Sequence, residues 1–168
     1  MANIYWSKKK VVIVNINDNP VAKDVIETMK KEGFQNIVEY KAMDDYAAYY
    51  KIAQEKPSYT MLISSASDCK IKPCKVEGIS RKQLGKVLSR DRSESNKAIE
   101  PFVHHLRMIG IKAETIGAEI LPWEELRSDR LAWFVEDKTP LISMQLPNQE
   151  GVAEAVCESV KEYFTPNN

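Results

Sequence analysis

The first part of the chain alternates between an unbroken apolar run and a segment with apolar residues every three or four positions. Residues 11–14 form a β-branched run, which is typical of a strand covered on both faces. Asn19 and Pro20 then supply a helix cap and a first helical residue, and Gly33 ends the helix. One face of this predicted helix carries Val21, Val25, Ile26 and Met29.

The same alternation continues through the next 30 or so residues. The sequence predicts a strand at 36–40, a helix at 44–55 stopped by Pro57, and a third strand at 59–63. The order strand, helix, strand, helix, strand with short connections favours a parallel sheet with right-handed crossovers.

The pattern becomes less regular between residues 64 and 95, where polar and basic residues dominate. A capping box at 80–83 predicts a short helix there. The apolar spacing of residues 99–106 indicates a further helix, whose start is left open by Pro101.

The last third predicts two strands and a closing helix. Residues 111–120 indicate a strand with a kink at Gly117, and residues 141–144 indicate another. Asn148 is predicted to cap the final helix, in which apolar residues recur every fourth position: Val152, Val156, Val160 and Phe164.

These elements predict a three-layer α-β-α sandwich with a mostly parallel sheet. Residues 1–168 are interpreted as a single domain, with a basic excursion at about 69–95 and a flexible tail at 165–168.

Composition adds few constraints. Of the 168 residues, 43% are hydrophobic and 29% charged, and Lys plus Arg equals Asp plus Glu at 24 each, so global charge favours neither nucleic acid nor membrane. No apolar run approaches the roughly 20 residues of a membrane span. The expected location is cytoplasmic, or the cell envelope if an export segment is missing. Three cysteines cannot all pair within one chain, which favours a reducing compartment.

Several stretches, taken in order, resemble the type 3 N-acetylmuramoyl-L-alanine amidases, which cleave bacterial cell-wall peptides. They are residues 53–64, 76–79, 126–127, 138–145 and 153–164. The resemblance implies an amidase-like fold. It also implies one zinc, held by a histidine after the first strand, a glutamate on the first helix and a histidine after the third strand, with a catalytic glutamate on the last strand.

The chain departs from that family at the positions that carry the chemistry. No histidine follows the first strand, and Ser65 or Ala66 stands at the position of the histidine after the third strand. Asp24 or Glu27 matches the helical carboxylate, but one carboxylate does not hold zinc. Gln145 replaces the catalytic glutamate and cannot accept a proton. We therefore expect neither metal nor cofactor, and no zinc-dependent hydrolysis.

Polar residues at the ends of the predicted strands suggest a ligand-binding cleft, because ligands of open α/β sheets bind at the carboxyl ends of the strands. Serine as a nucleophile would need a neighbouring histidine base and a sharp turn of the G-x-S-x-G type, and that turn is absent. Hydroxyls that cap the next segment are the alternative interpretation. The predicted cleft comprises Asn15, Asn17, Asp18, Ser64, Ser65, Ser67 and Gln145.

A concentrated basic segment is the second feature that could contact a ligand. It holds eight basic and two acidic residues between Cys69 and Arg92. A charge run is usually a solvated face, but this one predicts contact with an anion or a partner. No aromatic ladder accompanies it, so nucleic acid is not indicated. The candidate contacts are Lys70, Lys72, Lys75, Arg81, Lys82, Arg90 and Arg92.

Neither the histidines nor the cysteines make a convincing metal site. His104 and His105 are adjacent, so on a helix they point about 100° apart. Cys69 and Cys74 have a spacing found in zinc sites, but no second ligand pair follows.

Three functions remain open. The leading one is a catalytically inactive amidase-like domain that binds a protein partner or a cell-wall peptide or glycan. The second is a hydrolase that uses Cys69, Cys74, His104 or His105 for a metal, or Ser65 as nucleophile. The third is an α/β module that binds an anionic small molecule through the basic segment.

Overall fold

The computed structural model describes residues 6–43, 55, 57–76, 93–115, 119–121 and 139–166. The described elements, in chain order, are β1 (Val11–Ile16), α1 (Pro20–Lys31), β2 (Ile37–Ala42), β3 (Tyr59–Ser65), β4 (Cys69–Val76), α2 (Ser93–Met108), β5 (Ala113–Thr115), β6 (Glu119–Leu121), β7 (Leu141–Leu146) and α3 (Val152–Phe164). The expectations for the helix at 44–55 and for the capping box at 80–83 lie outside these residues.

The strands form a seven-stranded sheet in the order β2-β1-β3-β7-β4-β5, with β6 pairing with β4. All pairs are parallel except β4 with β7. The predicted fold class, a three-layer α/β sandwich with a mostly parallel sheet, is confirmed.

Strand β1, which lies between β2 and β3, shows how the sheet is buried. Val11 and Ile13 lie in the core on the face that helix α1 covers, whereas Val12 and Val14 point to the opposite face. All four side chains have 0% exposure. Both faces of the sheet are therefore covered, as its unbroken apolar sequence predicts.

Helix α1 begins and ends where the sequence predicts. The side chain of Asn19 caps its first turn, Pro20 is the first helical residue, and Gly33 follows the helix with a φ of +112°. Its buried face consists of the four predicted side chains and Ala22.

The segment after β3 differs from the expected basic excursion, because its first part is strand β4. Cys69 and Ile71 are buried while Lys70 between them is partly exposed, which is the alternation of a strand. Pro73 is tolerated in its interior because β5 pairs with residues 69–71 and β6 with residues 74–76. Pro73 falls between these two pairings.

The later elements also refine the prediction. The expected strand at 111–120 is described as two short strands, β5 and β6. Helix α2 starts at Ser93 and contains Pro101 in its interior. Helix α3 is capped by Gly151 at a φ of +91° and not by Asn148. Glycine adopts this left-handed backbone at little cost, and the side chain of Ile109, which follows α2, lies against it.

Candidate functional site

The carboxyl ends of β1, β3 and β7 lie along one edge of the sheet, because these three strands are parallel. Strand β4 is antiparallel to β7, so it begins at that edge. Ligands of open α/β sheets bind outside this carboxyl edge, which makes it the candidate ligand site.

Three polar residues form a row across neighbouring strands at this edge. Ser64 on β3 is paired with Gln145 on β7, and Gln145 is paired with Lys70 on β4. Directly paired residues share a face of the sheet and lie about 5 Å apart. Gln145 is exposed, and Ser64 and Lys70 are partly exposed. We call these three residues the edge row.

The edge row joins residues that the sequence placed in different candidate sites. Ser64 and Gln145 belong to the predicted cleft, and Lys70 belongs to the predicted anion contacts. The Ser64 hydroxyl lies 3.3 Å from the carbonyl oxygen of Met144 and donates to it. Gln145 brings an amide with both donors and an acceptor, and Lys70 brings an ammonium group.

The other predicted serine positions surround the row. Ser65 and Ser67 are exposed and Ala66 is partly exposed. The Ala66 backbone N–H donates to the carbonyl oxygen of Leu146 at 3.0 Å, which extends the pairing of β3 with β7 past the end of β3.

The β1–α1 turn shows that Asn15 is not a cleft residue. Asn15 is 3% exposed and its side chain bonds Asn19 three times, at 2.7 to 3.0 Å. Asn19 also donates to the carbonyl oxygens of Ile16 and Ile63, at 2.8 and 2.9 Å. These bonds tie the turn to β3 and remove Asn15 from the predicted cleft.

The N-terminus of α1 is closed in the same way. The side-chain oxygen of Asn19 accepts from the backbone N–H of Ala22 at 2.9 Å, and Pro20 has no N–H to offer. A buried cap leaves this helix end poorly suited to a phosphate group.

Asn17 and Asp18 occupy the exposed tip of the turn. Both have left-handed backbone angles, with φ of 61° and 50°, which Asn and Asp tolerate better than most residues. Hydrogen bonding to Lys23, followed by that to Lys41, lowers the pKa of the Asp18 carboxyl. Asp18 therefore has two lysine partners, each at 3.2 Å.

A cavity of about 630 Å³ opens at the same edge of the sheet but on the helix-covered face, whereas the side chains of the edge row point to the opposite face. Sequence reasoning placed Ser67, Asp68 and Cys69 near this edge but missed the other lining residues, which lie between α2 and β5, on β5 and after β7. Their position near the ends of predicted helices and strands is the only local feature that could have suggested them as binding residues. The additional lining residues are Gly110, Ile111, Lys112, Glu114, Pro147 and Gln149.

The thiol of Cys69 is a poor nucleophile. It is buried, and this burial raises its pKa to about 11. The thiolate is the reactive form of cysteine, so the side chain stays protonated at neutral pH. The side chain of Cys74 lies outside the described part of the structure.

The histidines lie away from the carboxyl edge. His104 is exposed and lines a different cavity with Lys9, which precedes β1, and with the C-terminal residues of α3. His105 Nε2 lies 3.4 Å from Glu162 Oε1 but makes no aligned hydrogen bond. Neither imidazole is placed to act as a base for Ser64, Ser65 or Cys69.

The candidate metal ligands do not converge. Asp24 and Glu27 line a cavity of about 270 Å³ between α1 and the start of α3, together with Glu150 and Glu154. Within the described residues, no three His, Cys, Asp or Glu side chains are arranged to hold one metal ion.

The basic segment is described only at its beginning. Lys70 belongs to the edge row, while for Lys72 and Lys75 the structure describes their backbone positions on β4. The remaining predicted contacts lie outside the described residues: Arg81, Lys82, Arg90 and Arg92. A membrane-crossing helix, which would need a long apolar stretch, is not found in the described part of the chain.

Comparison with known proteins identifies the fold and no family. No protein-family model matches the chain, and no curated protein sequence matches it. One solved structure that does match is the pyrrolidone carboxyl peptidase from Thermus thermophilus, with a TM-score of 0.55 at 10% sequence identity. The match covers 92% of this chain and 100% of that chain. At this identity the likeness shows that the two proteins share an α/β fold.

Proposed function

We propose that this chain is a non-hydrolytic binding domain of amidase-like ancestry, which holds a cell-wall peptide at the carboxyl edge of its sheet. The observation that carries the proposal is the edge row, in which Ser64, Gln145 and Lys70 lie side by side on three neighbouring strands. A protein partner that presents a carboxyl group could use the same donors.

The chemistry of the row suits recognition of a peptide carboxylate and its neighbouring amide. The ammonium group of Lys70 supplies a charge-assisted hydrogen bond to a carboxylate, and the Gln145 side chain can both donate to and accept from an amide. Cell-wall peptides carry both groups. Gln145 is also the position at which the resemblance to amidases places the catalytic glutamate.

The groups around the row support binding over cleavage. A general base needs a pKa near the working pH and must reach the proton that it removes, which a glutamine cannot do. The neighbouring thiol of Cys69 is buried, with a pKa raised to about 11. His104 lines a cavity beside the end of α3, away from the row.

Calorimetric titration with a soluble muramyl tripeptide tests the proposal. We expect saturable binding by the wild-type chain, and about tenfold weaker binding for Lys70→Ala and for Gln145→Ala, because each loses one polar contact to the ligand. Lys31→Ala is the matched control, since Lys31 is an exposed lysine at the end of α1.

Three outcomes would contradict the proposal. They are the absence of binding, equal affinity of all four proteins, and cleavage of the peptide during the titration. Cleavage that depends on added zinc would favour the hydrolase.

A further inference from the structure

Strand β2 is the outermost strand on its side of the described sheet. The carbonyl oxygens of Asn36 and Ala42 accept from N–H groups at the two ends of β1, at 3.0 and 2.9 Å. Along a strand, successive residues direct their backbone N–H and C=O groups to opposite sides, so every second residue bonds to the same neighbouring strand. The N–H and C=O groups directed away from β1 are those of Ile37, Glu39 and Lys41.

Two of these three residues carry opposite charges on the same face of the sheet. Glu39 and Lys41 are exposed, and each has a partner on its own chain. Glu39 bonds Lys30 at 2.8 Å, and Lys41 lies 3.2 Å from Asp18. Among the described elements, helix α1 packs over β1 and β3 more than over β2, and only β1 pairs with β2.

These charges select one register for the addition of a second, antiparallel β2. Centring the pair on Glu39 places two glutamates opposite each other, and centring it on Lys41 places two lysines opposite each other. Centring it on Tyr40 places Glu39 opposite Lys41 of the second copy, twice. Directly opposite charges are stabilising when unlike and destabilising when like.

We propose that β2 is a dimerisation edge, at which a second copy of this chain adds its own β2 in antiparallel orientation with Tyr40 on the two-fold axis. The two sheets then continue into one another, which is the isologous contact expected of a symmetric dimer. The proposal is independent of the proposed function, since the edge row lies on other strands.

The intrachain ion pairs strengthen the case for a second copy. Across the interface the charges follow in the order Lys30, Glu39, Lys41 of the second copy and Asp18 of the second copy, so that positive and negative groups alternate. The same register brings Ile37 opposite Met43 of the second copy. Met43 is 81% exposed in the single chain, and this contact would bury it.

A pair of charge reversals tests the register directly. Glu39→Lys places lysine opposite lysine in the dimer, and Lys41→Glu places glutamate opposite glutamate. Light scattering coupled to size exclusion should show a concentration-dependent dimer for the wild-type chain, and dissociation constants raised at least about tenfold for each variant. An equimolar mixture should dimerise again, because both cross-strand pairs are then of opposite charge.

The mixture separates the effect of charge from a folding defect, since a misfolded variant would not be rescued by the other. Lys31→Glu, a charge reversal on the exposed end of α1, is the matched control and should dimerise like the wild type. A wild-type chain that stays monomeric to high micromolar concentration would overturn the proposal and leave the edge to a strand of another protein. Single variants that dimerise as well as the wild type would overturn it too.

Discussion

The β1–α1 turn and the edge row occupy the same edge of one sheet and are both built from polar side chains, yet they satisfy their hydrogen bonds differently. In the turn, Asn15 and Asn19 are 3% and 6% exposed, and their side chains bond to each other, to the backbone of the turn and to Ile63 on β3. In the row, Gln145 is exposed and Ser64 makes a single long bond to Met144.

This difference separates polar groups that maintain the fold from those that can serve a ligand. A buried polar group is stable only when its partners are present, so the side chains of Asn15 and Asn19 are committed to the fold and are not available to a ligand. The row keeps donors facing solvent on rigid strands, which is how binding sites present specificity. Sequence position alone would have grouped the two regions together.

Replacement of Asn19 by alanine should produce the largest effect. The variant loses the cap of α1 and the bonds to Asn15, Ile16 and Ile63, and it leaves buried backbone groups unpaired. We expect the free energy of unfolding, measured with urea, to be about 3 kcal/mol lower than that of the wild type. Asn17→Gly is the control and should be nearly neutral, because glycine accepts the left-handed backbone. A loss below about 1 kcal/mol at Asn19 would remove the distinction between the two regions.

Gln145→Glu should change binding and leave folding intact. A glutamate beside Lys70 would engage the ammonium group and repel a ligand carboxylate, so affinity for the muramyl tripeptide should fall about tenfold or more. The exposed site predicts a change in unfolding free energy within about 0.5 kcal/mol. If the variant bound zinc and released the peptide, the interpretation of Gln145 as a disabled base would hold and the rest of the site would be hydrolytic.

The buried thiol beside the row predicts a dependence of stability on alkaline pH. Burial raises the pKa of Cys69 from 9.0 to about 11. The contribution of the neutral thiol to the free energy of unfolding is therefore fully present below pH 9 and is lost as the pH rises towards 11. Between pH 8 and pH 10 the free energy of unfolding, measured with urea, should fall by about 1 kcal/mol more in the wild type than in Cys69→Ala. Equal losses would mean that the thiol ionises readily, which would return Cys69 to the list of candidate nucleophiles.

Asp18→Asn at the exposed tip of the turn should have the smallest effect. Asparagine tolerates the backbone angle, so only the interactions with Lys23 and Lys41 are lost. These interactions lower the pKa of Asp18, so their contribution is present above its ordinary value of 3.8 and is lost as the pH falls through the lowered pKa. The free energy of unfolding should therefore fall slightly less on acidification in the variant than in the wild type. An unchanged pH profile would show that solvent screens these ion pairs completely.

Much of the fold could be predicted because its signals are local. The β-branched run of β1, the Asn19 cap and the apolar face of α1 all act within a few residues. Strand β4 was missed because its lysines and Pro73 resemble a solvated loop, and the strand is placed by its pairing with β7. The start of α3 was placed too early, because the helix follows the left-handed backbone of Gly151 and not the capping signal of Asn148.

The candidate site was predictable to the same extent. Ser64 and Gln145 end strands that the sequence identifies, so their place at the carboxyl edge follows from the parallel order. Lys70 joins them only because β4 runs antiparallel to β7, and Asn15 leaves the cleft only because its side chain bonds Asn19. Both outcomes depend on tertiary pairing that no local pattern encodes.

Titration of the ¹⁵N-labelled chain with the muramyl tripeptide, followed by NMR in the presence of zinc, tests the central claim most directly, because it reports both the place of binding and the integrity of the ligand. Binding at the edge row predicts amide shifts at Ser64, Lys70 and Gln145 while the lactyl amide of the ligand stays intact. Shifts confined to other parts of the chain, or the appearance of free peptide, would contradict the account.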